Sequence, residues 1–216
     1  MRKALRTILV SSTAVVLATS AAQALPVELV TNGEFESFDF SSSWTASADS
    51  LVPGWSTTSD RVELWNQGKI ASPAIGSDGA GTGRHHEIAY NSDTEITIQK
   101  FDILSHGTID FSFDTWKRSA QGISYSLTGS LSGMLAGGNH YYSTNAWEAI
   151  VHNDLSVLAG ETITISFKSI GGGSCGAHID DVSARYNSTP VPEPSTTLLF
   201  GLGIIGLTGV VRKKKF

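Results

Sequence analysis

Thr108-Ile109-Asp110-Phe111-Ser112-Phe113-Asp114-Thr115-Trp116 changes between apolar and polar side chains at nearly every step. Successive side chains of a strand point to opposite faces, so Ile109, Phe111, Phe113 and Thr115 share one face while Asp110, Ser112 and Asp114 take the other. Working outward, strand-like alternation recurs in Glu95 to Ile98, Ile123 to Leu127, Trp147 to Val157, Glu161 to Phe167 and Ala177 to Ala184. In Glu161 to Phe167 it turns Ile163, Ile165 and Phe167 inward. No apolar stripe at helical spacing interrupts these runs. Many short strands of this kind predict an all-β sandwich or jelly roll. Ser37 to Ser50, Ala71 to Gly83 and Gly129 to Asn145 read as loops. Gly171-Gly172-Gly173 reads as a turn before the last strand, since no Lys-Ser/Thr follows to make a phosphate loop.

Both ends of the 216-residue chain carry addresses. Residues 1–24 begin with Arg2, Lys3 and Arg6, continue in an apolar run from Ile8 to Leu17 and close on Ala22-Gln23-Ala24, the pattern of a secretory signal peptide cut after Ala24. Residues 191–216 run from Val191-Pro192-Glu193-Pro194 through an uncharged stretch, Ser195 to Val211, into Arg212-Lys213-Lys214-Lys215-Phe216. As a helix that stretch reaches about 26 Å, which spans a bilayer core of roughly 30 Å once the basic side chains snorkel. Gly201, Gly203, Gly206 and Gly209 favour close helix packing in lipid, and the basic tail holds that end on the cytoplasmic side. Without these ends, residues 25–194 keep eight basic against twenty acidic residues, a formal charge of −12 where the whole chain has −5. Such a field repels a polyanion, so nucleic acid is excluded as a partner. One cysteine, Cys175, makes no internal disulfide, and the fold rests on its core.

Pro192-Glu193-Pro194, the short Gly-rich span and the basic tail together resemble the PEP-CTERM sorting signal of Gram-negative bacteria that make exopolysaccharide. The resemblance implies processing by exosortase, transient anchoring in the inner membrane, and delivery to the cell surface or extracellular matrix. A permanent membrane anchor is the alternative reading of the same tail. The body, residues 25–190, carries three further motifs: Asn32-Gly33-Glu34-Phe35-Glu36, Val52-Pro53-Gly54-Trp55 and Gly176-Ala177-His178-Ile179-Asp180-Asp181-Val182. Their order and placement resemble secreted jelly-roll domains of the galactose-binding-like superfamily, which includes carbohydrate-binding modules. The resemblance implies first and last strands that lie close together, bringing Glu34 or Glu36 near Asp180 or Asp181. Carboxylates and turn carbonyls so placed suit one structural Ca2+, and Asp180 and Asp181 flanking a strand turn is the plainer alternative.

A sugar binder needs flat apolar surfaces beside planar polar groups, which makes Trp65, Trp116, Tyr141, Tyr142 and Trp147 candidates, with Arg84, His85 and Glu87 on an adjacent strand. Core packing is the competing reading for each aromatic, and strongest for Trp55. Alternation puts His85 and Glu87 on one face and His86 on the other, without the helical His-Glu-x-x-His spacing of a zinc protease. No carboxylate pair sits in a recognisable catalytic motif, and Cys175 has no same-face histidine partner. The expectation is a non-catalytic exported protein that binds exopolysaccharide or a cell-surface glycan. A structural or adhesive matrix protein acting through protein contacts is the alternative, and a glycoside hydrolase the third.

Overall fold

The computed structural model describes residues 25–66, 83–92 and 94–189, and these build two antiparallel sheets packed face to face. The strands in chain order are β1 (Val27–Glu28), β2 (Trp44–Ala48), β3 (Ser56–Thr57), β4 (Arg61–Asn66), β5 (Arg84–Ile88), β6 (Ile96–Asp102), β7 (Gly107–Lys117), β8 (Gly122–Gly129), β9 (Gly133–Tyr141), β10 (Glu148–Val157), β11 (Thr162–Ile170) and β12 (Ala177–Ser188). One sheet has the order β10-β7-β12-β5-β4-β2, with β1 also on β12, and the other the order β3-β6-β11-β8-β9. The only helical element among the described residues is a 3-10 turn at Asp49–Leu51.

The alternation of β7 and β11 decides the core. Ile109, Phe111, Phe113, Ile163, Ile165 and Phe167 are all fully or nearly fully buried between the sheets, joined by Phe35, Leu64, Ile88, Ile123 and Leu127. Phe113 and Phe167, one from each sheet, meet edge to face at 4.9 Å.

Four expected boundaries shift. Gly129 to Asn145 contains strand β9, whose glycines hid its period, and Ser37 to Ser50 contains β2. Trp147 precedes β10 and Glu95 precedes β6, each at a strand entry. The signal peptide, the expected span Ser195 to Val211, the Pro192-Glu193-Pro194 motif and all of Ala71 to Gly83 except Gly83 lie outside the described residues. Among the described residues no helix is long and apolar enough to cross a membrane.

The three motifs of the body converge. Gly33 accepts the Val182 backbone N–H at 3.1 Å, and a Cβ on Gly33 would stand 1.9 Å from the Val182 carbonyl oxygen, so only glycine fits. Trp55 donates through Nε1 to the Asn32 carbonyl at 2.9 Å and stacks on Phe35 at 5.1 Å. Trp55 is therefore a buried packing residue. Between Asp180 and Ser183 the register of β12 on β7 slips at a bulge, with Asp181 at φ 48°. The extra residue resets the alternation, so Ile179, Val182 and Ala184 all stay in the core.

Candidate functional site

The seven-stranded sheet is also closed over on the face that points away from the core. Val62 and Leu64 of β4 belong to the core, which turns Glu63 and Trp65 to the other side. On β5 the same rule turns His85 and Glu87 outward and His86 inward, where its Nδ1 meets the Glu63 carbonyl at 2.9 Å and its Nε2 meets Thr97 Oγ1 at 2.7 Å. On β12 and β7 it turns out His178 and Trp116, which are cross-strand partners. Glu63 lies opposite Glu87, Trp65 opposite His85 and Trp44 opposite Trp65, so register alone assembles one cluster.

The cluster is aromatic and polar together. Trp65 stacks on Trp44 at 5.8 Å, His85 meets His178 at 4.8 Å and Trp147 at 5.5 Å, and Trp116 meets His178 at 4.9 Å. Trp65 Nε1 donates to Glu63 at 2.9 Å, and Trp116 Nε1 to the Asn145 side chain at 3.2 Å. Glu87, fully buried, accepts the Gly176 backbone N–H at 2.7 Å and the Arg118 guanidinium at 3.2 Å. Trp65 and Trp116 are buried yet lie outside the hydrophobic core, whereas Trp44 is 46% exposed at the rim.

Two groups stand out. His85 and His178 are completely buried, and none of their four ring nitrogens has a hydrogen-bond partner; the Glu87 carboxyl lies 3.7 Å from His178 Nε2. A buried polar group without a partner costs roughly 1–3 kcal/mol, so a water or a ligand group that reached these nitrogens would stabilise the face. Burial keeps both imidazoles neutral, lowering His85 to about 3 and His178 well below the ordinary value. Burial, and next the charge of Glu87, push Glu63 up to about 8, and burial raises Glu87 against the pull of Arg118.

Of the residues expected from sequence, the structure brings together Trp65, His85, Glu87, Trp116 and Trp147. Arg84 is elsewhere, held at 2.9 Å by the Glu36 carboxylate and in a second ion pair with Asp39. Tyr141 is exposed at the end of β9, and Tyr142 is buried with its hydroxyl 2.6 Å from Thr115. Sequence reading missed Glu63, Arg118, His178 and Trp44. Glu63 was accessible through the alternation of Arg61 to Asn66, which the sequence reading did not use, while Trp44 fell in a segment read as a loop and Arg118 sits in a turn that carries no period.

Of the four expected calcium ligands, three share one groove and Asp180 does not line it. Glu34, Glu36 and Asp181 line one open groove of about 1110 Å3, but Arg84 takes Glu36, and Asp180 is buried with its carboxylate on the Asp181 N–H. Among the described residues no three His, Cys, Asp or Glu side chains converge to hold a metal.

The pH dependence of stability follows from the buried groups. The Glu63 contribution is complete below the unfolded carboxyl value of about 4.3 and is lost as pH rises through about 8. The His85 and His86 contributions are complete above about 6.5 and are lost as pH falls through about 3 and 4. Between about pH 4.3 and 6.5 the two histidines outweigh the one carboxyl, so melting temperature is expected to fall on both sides of a maximum near pH 6.5, and Glu63→Gln to flatten the alkaline limb. A melting series from pH 4 to 9 checks this, and an unchanged alkaline limb in the variant contradicts it.

Residues 190–214 match the PEP-CTERM protein-sorting motif, which implies exosortase-dependent export. No curated protein matches the chain. Among solved structures, a Stig cyclase from Fischerella sp. TAU in complex with an indole compound aligns at 13% identity over 78% of this chain and 100% of its own, with a TM-score of 0.56. An apo cyclase from Fischerella sp. aligns at 14% identity over 77% and 98%, with a TM-score of 0.52. A carbohydrate binding module from Cellvibrio mixtus lichenase 5A in complex with cellotriose aligns at 15% identity over 52% and 82%, with a TM-score of 0.33. The likeness to the cyclases is one of fold.

Proposed function

We propose that this is a non-catalytic glycan-binding protein of the cell surface or extracellular matrix of a Gram-negative bacterium, delivered through the inner membrane by exosortase sorting. The body is a jelly roll of the galactose-binding-like type, and its ligand, an exopolysaccharide or cell-surface glycan, lies on the outer face of the seven-stranded sheet. The observation that carries the reading is the row of Trp44, Trp65, Trp116 and Trp147 flanking two buried histidines whose nitrogens are unpartnered. The exposed indole of Trp44 and the half-buried one of Trp147 suit the undersides of sugar rings, with the polar cluster beneath them to take hydroxyls or amines. Glu63 and Glu87 face each other as cross-strand partners on β4 and β5, and neither sits in a recognisable catalytic motif.

The test is binding of the purified protein to the producing cells' exopolysaccharide, followed by Trp44→Ala. Because Trp44 is a rim residue, its removal is expected to weaken binding about tenfold or more while leaving the fold intact. Absence of saturable binding by the folded wild type would sink the reading. It would favour instead a structural or adhesive role through the open edge of β9, near which Leu131, Met134 and Tyr141 are exposed.

A further inference from the structure

The site already seats one cation of its own. The Arg118 guanidinium lies 4.9 Å from the centre of the Trp65 ring and is paired with Glu87 at 3.2 Å. Its side chain is one-third exposed, whereas Glu87 beneath it is fully buried. Two facing carboxyls, an indole face and one loosely held guanidinium make a cation seat with its occupant attached.

Resting on the reading of this face as a glycan site, we propose that the ligand carries primary ammonium groups and that one of them takes the place of Arg118 between Trp65 and the Glu63 and Glu87 carboxyls, making the glycan an amino-sugar polymer with free amines. The donor and acceptor inventory favours this ligand. An ammonium offers three donors and no acceptor, and the seat offers the oxygens of two carboxyls and, beside them, one acceptor nitrogen on each of the neutral imidazoles of His85 and His178. An N-acetyl group in the same place would bring no charge to the carboxyls, and a uronate would meet them with its own sign. Arg118 reaches solvent with its long side chain from the turn after β7, so it can swing out once an ammonium replaces it on Glu87.

The same face continues the charge. Asp114 and Asp180 are cross-strand partners on β7 and β12, and the burial and Asp181 charge around Asp114 hold its carboxyl above the ordinary range. Beyond them the open groove is lined by Glu28, Glu34, Asp110 and Asp181, with Arg185 as its one basic lining residue. A polymer bearing an amine on successive residues meets the carboxylates of this open groove, and a polyanion is repelled there.

The experiment is titration calorimetry of the purified full-length protein at pH 6 with a β-1,4-linked glucosamine oligomer, its fully N-acetylated counterpart, an oligogalacturonate and oligolysine. The free-amine oligomer is expected to bind at least tenfold more tightly than the acetylated one, with no binding of the uronate. Arg118→Ala, which removes the internal competitor, is expected to tighten binding of the amine oligomer several-fold, and Glu87→Gln to abolish the preference for it. Equal or tighter binding of the acetylated oligomer overturns the ammonium seat and leaves the glycan reading standing. Binding of oligolysine as tight as that of the amino-oligosaccharide overturns the assignment to a glycan. Binding of none of the carbohydrates, by this titration or to the cells' own exopolysaccharide, removes the functional reading itself.

Discussion

Phe167→Ala is expected to lower the unfolding free energy by about 3–5 kcal/mol, the range for truncating a buried Phe to Ala. Phe167 sits at the middle of β11 with no exposure and reaches across the core to Phe113 at 4.9 Å, Trp55 at 6.3 Å and Phe111 at 6.5 Å. Phe111 and Phe113 belong to the opposite sheet, so the residue joins the two layers. Its ring is walled by other rigid aromatics on strands fixed by cross-strand pairing, and such walls close poorly over a void. A sandwich of this size has a net stability of only about 5–15 kcal/mol, so the variant sits near the limit of folding. Urea unfolding should show a lower midpoint at unchanged slope, and Leu104→Ala, at 92% exposure, should change stability by no more than about 0.5 kcal/mol. A Phe167→Ala cost below about 1 kcal/mol would mean that the sheets do not pack through this residue.

Phe167 was legible from sequence because one face of its strand is uniformly apolar, and period-two alternation encodes exactly one bit, which face. That bit placed Ile109, Phe111, Phe113, Ile163 and Ile165 correctly and also paired His85 with Glu87. It failed in β9, where Gly133, Gly137 and Gly138 supply no side chain to alternate, and at Asp181, where a bulge shifts the count by one. The site was half legible for a related reason. Alternation says that Trp65 and His85 face away from the core, but which strand lies beside which is a matter of topology, and β12 beside both β5 and β7 is what brings His178 to Glu87 and Trp116. Within the Gly176 to Val182 motif the two aspartates drew attention as ion ligands, and the histidine between them and the glycine turned out to be the residue in the cluster. Tyr141 and Tyr142 show the converse limit: adjacent residues with identical chemistry end on opposite sides of one strand end, one exposed and one buried.

Glu87 is the residue on which fold and site meet, and two substitutions separate its roles. Glu87→Ala removes the acceptor of the buried Gly176 N–H, releases Arg118 to solvent and opens a void among Trp65, His178 and Glu63; the orphaned amide alone costs about 1–3 kcal/mol, and the void adds to it. Gly176 has no other place to go, since even a Cβ there would stand 1.8 Å from the Ile88 carbonyl oxygen. Glu87→Gln keeps an oxygen for Gly176 and presents an amide N–H to Glu63, so its cost should stay within about 1 kcal/mol. It also removes the neighbouring charge that helps raise Glu63, so the alkaline loss of stability should shrink in the Gln variant. Urea unfolding of both variants at pH 6 and pH 9 reads these effects together. If Ala and Gln cost the same, the Gly176 contact contributes nothing; if Gln leaves the difference between pH 6 and pH 9 untouched, the two carboxyls do not sense each other, and a seat built on their proximity has no basis.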